Sequence, residues 1–233
     1  HSFKLLQDLS GEQQRWQSGV HEFEDNRRCL IGNALLSAAF MSFAISYDES
    51  IRSKLVQLWK EELCQRHISF DKLWSFIHDI ADPKENLKWK SLGLPNDDLF
   101  KENIASLTSG VSGNYSLIID PSGSILNFLS AYQKPKTLSI SSFLDNEYIH
   151  QVENCVRFGG SIVLTDADKY DPAMNTIIGH NTISHGGRTL ITICGHKVDL
   201  SSDFQLYLYT KNPSIQISPF LASRVNVVNF AFT

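Results

Sequence analysis

The residues with the clearest chemical potential lie in a short turn between a predicted strand and a predicted helix. An apolar run at 115–119 predicts a buried strand, and the apolar spacing from Ile125 onward predicts a helix with one apolar face. Strand, tight turn and helix is the arrangement in which a phosphate-binding loop occurs. Such a loop reads G-x-x-x-x-G-K-[ST]: backbone N–H groups surround the phosphates, lysine contacts the β- and γ-phosphates, and the hydroxyl binds Mg²⁺.

The turn lacks the residues that this chemistry needs. It consists of Asp120, Pro121, Ser122, Gly123 and Ser124, and no lysine follows as far as residue 127. Proline removes one backbone donor, and the aspartate is expected to repel a phosphate. The sequence therefore predicts the place of a nucleotide site without its chemistry.

Two groups of potential metal ligands lie further along the chain, and neither predicts a metal site. The first group is His180, His185 and His196. It lacks the spacing that places two histidines on one face of a helix. The second group is Asp166, Asp168 and Asp171. It lacks the glycine and the terminal glutamate of a calcium-binding EF-hand loop, and its last member is better explained as a helix cap.

The elements that position these residues fall into two regions. Residues 1–110 are predicted to form successive helices, with a break at Ser10-Gly11. The segment 29–47 within this region is apolar nearly all round, which predicts a buried helix. From Gly113 onward strands and helices alternate, as they do in proteins with a parallel sheet.

The second region predicts an α/β fold with a parallel sheet of about five strands flanked by helices, preceded by the all-helical region. The expected strands are 115–119, 137–143, 162–165, 204–210 and 225–232. The runs 189–193 and 198–200 are expected to form a hairpin around Gly195-His196. Asp145 is expected to cap the helix before the third strand, and Ser218 the helical turn before the last strand.

Composition excludes several classes of function. A net charge of −4 gives no basic surface for nucleic acid or an acidic membrane. The longest apolar run, 34–45, is shorter than the roughly 20 residues that span a bilayer. Four cysteines without a C-x-x-C pair predict free thiols in a cytosolic protein. The chain begins without methionine and stops on a predicted strand, which indicates a piece of a longer protein.

The order of elements and several residue runs resemble an AAA+ module of the dynein heavy chains. A strand ending at Asp166 stands where a Walker B segment belongs, and one ending at Thr210, before Asn212, stands where sensor 1 belongs. Arg224 stands where an arginine finger belongs. The chain is most similar, over nearly its whole length, to the fifth AAA+ module of a cytoplasmic heavy chain. The matching runs are LLSAAF (35–40), GLP (93–95), EN (102–103), IIDPSG (118–123), SFLD (142–145), GGR (186–188) and SRV (223–225).

The resemblance implies a division of the chain near residue 110. Residues 1–110 correspond to the end of the returning stalk helix and the helices that lead into the module. Residues 111–233 correspond to the large AAA+ subdomain with a degenerate nucleotide site. In the family this module is one of six in a ring and does not turn over ATP, which agrees with the turn described above.

The resemblance also implies roles for individual residues. The turn is the degenerate Walker A region. Asp166 and Ala167 are the degenerate Walker B region, with alanine at the position of the glutamate that polarises water, and Thr210 and Asn212 are sensor-1-like. Arg224 would act in trans on the nucleotide of the fourth module, where arginine fingers raise rates roughly 10³–10⁵-fold. The alternative role for Arg224 is a surface ion pair at the module interface.

The implied cofactors and partners belong to the parent chain. This module is expected to hold neither cofactor nor metal, whereas other modules bind ATP or ADP with Mg²⁺. The implied partners are the fourth and sixth modules, the stalk coiled coil and the linker of the same chain, and the microtubule through the parent motor. Neither nucleic acid nor membrane is implied, and the implied location is cytoplasmic and cytoskeleton-associated.

Three classes of function remain open on the sequence. The resemblance favours a non-hydrolysing structural module that couples ATP-driven changes elsewhere in the ring to the stalk and linker, for movement towards microtubule minus ends. The second class is an independent α/β enzyme with an atypical phosphate loop, which would turn over ATP. The third is a stand-alone protein-interaction domain, which would fold without flanking modules.

Overall fold

The computed structural model describes residues 2–95, 97–108, 114–133 and 138–231, with side chains described except at 2–11, 14 and 22. Contacts divide the chain into two compact units. The first is His1–Ala44 with Ser50–Ile80, and the second is Ile45–Glu49 with Ala81–Thr233. The predicted division between residues 110 and 111 falls outside the described residues and stays a prediction.

The described residues contain nine α-helices and eight strands. The helices are α1 (Ser2–Ala39), α2 (Glu49–Gln65), α3 (Phe76–Ile80), α4 (Pro83–Ser91), α5 (Asp98–Thr108), α6 (Ser124–Tyr132), α7 (Tyr148–Phe158), α8 (Asn175–Ile178) and α9 (Pro219–Ala222). The strands are β1 (Tyr115–Ile119), β2 (Leu138–Ser142), β3 (Ser161–Thr165), β4 (Thr182–His185), β5 (Arg188–Ile193), β6 (His196–Asp199), β7 (Gln205–Thr210) and β8 (Val225–Asn229). Within the described ranges, no helix combines the length and the apolar character that crossing a membrane requires.

The first unit forms where α1 passes closely against the segment at 69–76. A Cβ atom on Gly32 would lie 2.3 Å from the carbonyl oxygen of Ser69, so only glycine permits this approach. Further along, the Phe40 ring stacks on Phe76 at a centroid distance of 4.4 Å, and Trp74 meets it edge-on at 6.4 Å. These aromatic contacts fix the end of α1 against α3.

Two predictions for α1 are wrong. The helix runs without the break expected at Ser10-Gly11, because a single glycine inside a long helix costs only about 1 kcal/mol. The helix at 29–47 is not buried all round: the side chains of Leu30, Ile31 and Phe43 are exposed. Only the face that carries Gly32 and Leu36 is buried, and the α-helix gives way to a π-helical turn at Phe40–Ala44.

The second unit contains the predicted parallel sheet, so the expected fold class is confirmed. Its five strands lie in the order β2-β3-β7-β1-β8, and every neighbouring pair is parallel. One face packs on α7 and α8 through a continuous apolar core. The opposite face includes α6, whose residues Ile125, Phe128 and Leu129 are buried. Because all strands run in one direction, their carboxyl ends share one edge of the sheet.

Several element boundaries differ from the prediction. The second strand begins at Leu138 and ends before Phe143, whereas Thr137 lies outside the described residues. The last strand ends at Asn229, and the next residue, Phe230, still donates its N–H to the carbonyl of Ile119 on the neighbouring strand. The predicted end at residue 232 is outside the described residues.

A second, antiparallel sheet has the order β4-β5-β6. The predicted hairpin corresponds to β5 and β6, but the prediction missed β4. That strand is exposed along its whole length and has little apolar pattern. Its sequence signal is the two-residue Gly186-Gly187 connection to β5, in which both glycines have positive φ.

Caps at helix starts agree with the sequence at Ser218 and Asp171 but not at Asp145. Ser218 accepts the N–H of Leu221 through its hydroxyl. The cap of α7 is Glu147, without a side-chain bond, and the Asp145 carboxylate instead accepts the Glu147 N–H at 3.0 Å. The predicted cap at Asp145 is therefore wrong, because the aspartate closes a turn just before the helix begins.

A tyrosine–aspartate pair fixes the loop after β3. The Tyr148 hydroxyl donates to the Asp171 carboxylate at 2.5 Å, and Asp171 also accepts the Ala173 N–H at 2.8 Å. These two hydrogen bonds, the phenol first, lower the pKa of Asp171 below its ordinary value. Burial, and then the same carboxylate, raise the pKa of Tyr148. The pair connects α7 to the loop that carries Asp171.

Replacing Gly32 with alanine is expected to destabilise the first unit, because the added methyl group meets backbone that cannot move away. Gly32→Ala should lower the free energy of unfolding by about 1–3 kcal/mol. Gly19→Ala is the matched control: it lies on the same helix with nothing within 4 Å of the new Cβ, and should be neutral or stabilising. Urea unfolding followed by circular dichroism tests both changes. Equal stability of the two variants would contradict the close approach.

Removing the Tyr148 hydroxyl is expected to have a pH-dependent effect. A lowered acid pKa contributes stability above its unfolded-state value of about 3.9, and this stability disappears as the pH falls through the lower folded-state pKa. Tyr148→Phe should therefore cost about 1–2 kcal/mol at neutral pH and progressively less towards strongly acid pH.

The control for this change is Tyr170→Phe, because the Tyr170 hydroxyl hydrogen-bonds the Asn175 amide oxygen at 2.8 Å, which does not titrate. Its cost should be the same at both ends of the pH range. Urea midpoints measured from neutral to acid pH separate the two variants. A constant penalty for Tyr148→Phe would exclude linkage to Asp171.

Candidate functional site

The turn between β1 and α6 lies at the carboxyl edge of the sheet, where ligands of open α/β proteins bind. The strand ends at Ile119, and Gly123 takes a left-handed conformation with φ of +76° before the helix begins at Ser124. A left-handed backbone conformation favours glycine, so the backbone of the turn requires its one glycine at this position. Pro121 and Ser122 are exposed, whereas Asp120 is fully buried.

The Asp120 carboxylate fills the centre of the turn. One oxygen, Oδ1, accepts the N–H groups of Ser122 and Gly123, both at 3.1 Å, and the Ser122 hydroxyl at 2.6 Å. The other, Oδ2, accepts the N–H of Ile125 at 2.9 Å and the hydroxyl of Tyr209 at 3.3 Å. The N–H groups that would surround a phosphate in a working loop therefore already bind an anion that belongs to the chain.

Tyr209 was missed by the sequence reasoning. It lies on β7, 89 residues from Asp120, and its hydroxyl also contacts the Asp120 carbonyl oxygen at 3.1 Å. Burial, followed by the nearby carboxylate, raises the pKa of Tyr209, so its hydroxyl remains a donor at neutral pH. The sequence offered no specific signal for Tyr209, because β7 carries a second tyrosine, Tyr207.

Lys211, the other missed residue, follows the end of β7. Its Nζ lies 3.8 Å from the position that a Cβ on Gly123 would take, so its ammonium group is close to the turn. The turn's own Ser122 and Ser124 hydroxyls lie 2.7 Å apart and hydrogen-bond each other. A lysine is thus present near the turn, supplied by β7 instead of α6.

Among the described residues, no hydrogen bond joins the predicted Walker B residues to the turn. Asp166 takes a left-handed conformation with φ of +60°, and its carboxylate accepts the hydroxyl of Ser142 at 2.5 Å and that of Thr165 at 3.1 Å. It is therefore hydrogen-bonded to β2 and β3. Ala167 is buried and brings no ionisable group to the edge.

The two sensor-1-like residues differ in their positions. Thr210 is buried, and its carbonyl accepts the N–H of Asp120 at 2.9 Å, so the strand end and the turn are directly joined. Its hydroxyl contacts the carboxylate of Asp168 at 3.4 Å. Asn212 is exposed and uses its side-chain oxygen to accept the N–H of Ser214 at 3.0 Å. Only Thr210 is therefore close to the turn.

Arg224 lies at the opposite edge of the sheet from the turn. It directly precedes β8, whose first residue, Val225, pairs with Tyr115 at the start of β1. The five-residue strand β1 separates it from Asp120, a length of roughly 15 Å. The Arg224 guanidinium is exposed, donates to the carbonyl of Gly179 at 3.2 Å, and lies 5.4 Å from the centre of the Phe220 ring.

The fit of ATP and Mg²⁺ to this turn is poor on three counts. The backbone donors are occupied by Asp120, the Lys211 ammonium comes from another element, and Asp166 is bound to hydroxyl groups of the sheet. Among the described residues, no group of three or more His, Cys, Asp and Glu could hold a metal ion. His180, one of the three histidines considered above as potential metal ligands, stacks on the ring of Tyr115.

Comparison with known proteins identifies the family. Residues 87–233 match the family model described as the ATP-binding dynein motor region. The chain is 35% identical over 232 residues to the cytoplasmic dynein heavy chain of Neurospora crassa and 34% identical over 232 residues to that of Caenorhabditis elegans. It is also 33% identical over 232 residues to dynein heavy chain-like protein 1 of Plasmodium falciparum.

These alignments cover 100% of the chain but only 5%, 5% and 4% of the three relatives. The chain thus spans about one-twentieth of their length. The family model alone matches well over half of the chain, on the same residues that build the five-stranded sheet. The chain therefore belongs to the ATP-binding dynein motor region family.

Proposed function

We propose that this chain is the fifth AAA+ module of a cytoplasmic dynein heavy chain and a non-hydrolysing structural element of its motor ring. In this proposal residues 1–110 are the end of the returning stalk helix with its lead-in helices, and residues 111–233 are the large AAA+ subdomain. The residue runs noted in the sequence and the end-to-end similarity to cytoplasmic heavy chains support this assignment.

The single observation that carries the non-hydrolysing role is the occupation of the turn by Asp120. A phosphate can enter only if the carboxylate gives up its three backbone N–H groups and the hydroxyls of Ser122 and Tyr209. The displaced carboxylate would lose these hydrogen bonds, and an unpaired buried charged group costs more than the about 1–3 kcal/mol of an unpaired neutral one, so exchange for phosphate is unfavourable. Ala167 stands at the position of the catalytic acid, so no side chain there can activate water for hydrolysis. The occupied N–H groups of the turn leave no phosphate-binding site for a nucleotide.

The exposed face of α1 supports a coiled-coil partner for the first unit. Trp16, Val20, Phe23 and Leu30 are exposed and follow one another at intervals of four, three and seven residues. This is the heptad spacing of a helix that packs against another helix. We infer that the stalk coiled coil of the same chain covers this stripe.

The partners and cofactors follow from the place in the ring. The module contacts the fourth and sixth AAA+ modules and works with the linker and stalk of the same chain. ATP or ADP with Mg²⁺ binds to other modules, whose changes this one transmits for movement towards microtubule minus ends. The parent motor is cytoplasmic and cytoskeleton-associated.

The position of Arg224 supports action on a neighbouring module. Its own turn lies at the other edge of the sheet, so any nucleotide that this guanidinium meets belongs to another module. The Gly179 carbonyl takes a bond from Nη1, and a guanidinium has five donors in all. We infer that Arg224 acts in trans at the fourth site, while Thr210 has lost its sensor role together with the nucleotide.

ATP is expected not to bind the unchanged chain. Millimolar ATP with Mg²⁺ should shift the thermal midpoint by less than about 1 °C, whereas a site with a Kd near 10 μM would raise it by about 5–10 °C. Calorimetric titration of the same sample provides the second readout. Micromolar binding, or turnover of ATP by the chain, would exclude the structural role and favour an atypical enzyme.

Changes at Arg224 are expected to slow hydrolysis at the fourth site of the intact heavy chain. Arg224→Ala and Arg224→Lys should each reduce it by on the order of tenfold or more, since lysine keeps the charge but not the planar fork. Site-resolved turnover, with the other sites inactivated, is the measurement.

Arg188→Ala provides the matched control for Arg224. Arg188 is another exposed arginine of this chain, 3.9 Å from Asp199, and its loss should leave the fourth site unchanged. Thermal unfolding of all variants checks that the fold is intact. If Arg224→Ala behaves like Arg188→Ala, Arg224 serves only the local contacts with Gly179 and Phe220.

A further inference from the structure

We propose that Asp120 is an internal ligand: its carboxylate takes the place of a bound phosphate and holds the turn in its ligand-bound form without nucleotide. The proposal rests on the assignment of the turn as a degenerate phosphate loop and extends it. It assigns to the turn a site for a small oxyanion, permanently filled by the side chain of residue 120.

The first step of the argument is the convergence of donors on one anion. Three backbone N–H groups, from Ser122, Gly123 and Ile125, point at the Asp120 carboxylate within 3.1 Å. The Ser122 hydroxyl and the phenol of Tyr209 complete the set. Two carboxylate oxygens offer about four acceptor positions; the three N–H groups and the Ser122 hydroxyl fill them, and Tyr209 shares its one proton between Oδ2 and the Asp120 carbonyl. With zero exposed area, Asp120 is closed off from bulk solvent.

The second step is the reach of these bonds. Tyr209 lies on β7, which pairs with both β1 and β3, so the carboxylate ties the start of α6 to the centre of the sheet. A bound nucleotide would form the same connection only while it stayed bound. Asp120 directly follows β1 in the chain. The connection between α6 and the sheet therefore does not depend on whether nucleotide is bound.

The third step is the charge beside the turn. The Lys211 Nζ lies 3.8 Å from the position that a Cβ atom on Gly123 would take, so the ammonium group is beside the turn. When the carboxylate is removed, the turn retains its N–H groups, two hydroxyls and this nearby cation. Such a set of donors suits a small oxyanion, as backbone nests generally do.

A simple capping role for Asp120 makes a different prediction. An aspartate that only caps α6 leaves, when removed, an ordinary helix N-terminus, where a dissolved anion binds without help from Lys211. An internal ligand can be replaced by an external one that uses the whole set of donors. Rescue by an anion that depends on Lys211 therefore separates the two roles.

The experiment compares Asp120→Ala with the unchanged 233-residue chain in inorganic phosphate and in sodium chloride of equal ionic strength. In chloride the thermal midpoint of Asp120→Ala should fall by about 4–10 °C, because several buried donors lose their partner. Phosphate at about 20 mM should restore at least half of this loss and broaden the ³¹P resonance of the phosphate. The unchanged chain should show neither effect.

Two further variants serve as controls. Gly32→Ala, destabilised in the other unit, should respond to phosphate no more than the unchanged chain does. Asp120→Ala combined with Lys211→Ala should lose the greater part of the rescue. An equal gain in every protein, or a gain in none, would show that Asp120 is only a cap.

The experiment remains conclusive even when Asp120→Ala is unfolded in chloride. Folding of that variant in phosphate alone supports the internal ligand. If it is unfolded in both, Asp120→Asn takes its place, because the amide keeps one acceptor oxygen; a phosphate-insensitive Asp120→Asn then overturns the proposal. ATP binding by the unchanged chain, measured separately, bears on the structural role of the module and not on this rescue.

Discussion

The structure of the second unit depends on one requirement: buried backbone donors must have an acceptor. A strand that turns at once into a helix leaves several N–H groups pointing into the turn, and a P-loop satisfies them with phosphate. Here the Asp120 carboxylate satisfies them. The same residue also continues the sheet, through its N–H bond to Thr210, so the acceptor is fixed as firmly as the strand itself.

Because the Asp120 carboxylate accepts these N–H groups, the strand, the turn and α6 are joined by hydrogen bonds between groups of the chain itself. Mg²⁺ and a catalytic acid are needed only for phosphoryl transfer. In the proposed non-hydrolysing role neither Asp166 nor Ala167 takes part in that step, and the Asp166 carboxylate accepts the hydroxyls of Ser142 and Thr165.

Sequence patterns predicted the sheet well because β1, β3 and β7 are largely apolar, while β2 alternates apolar and polar residues. They failed for β4, which is exposed and polar, and for the helix at 29–47, whose buried face is chosen by the contact at Gly32. The turn was correctly located, but Asp120 was treated as a group that repels phosphate. Its actual partner, Tyr209, is 89 residues away, and spacing along the chain carries no sign of such a contact.

The turn at Asp120 and Arg224 lie on different edges of one sheet, so the proposed roles of the two are independent of each other. The pairing of Tyr115 with Val225 fixes Arg224 at the amino ends of β1 and β8, and the turn follows their carboxyl ends. A change that fills the turn leaves the arginine in place, provided that β1 and β8 stay paired. In the proposed role, the filled turn and the exposed Arg224 guanidinium are therefore held at opposite edges of the sheet by the same two strands.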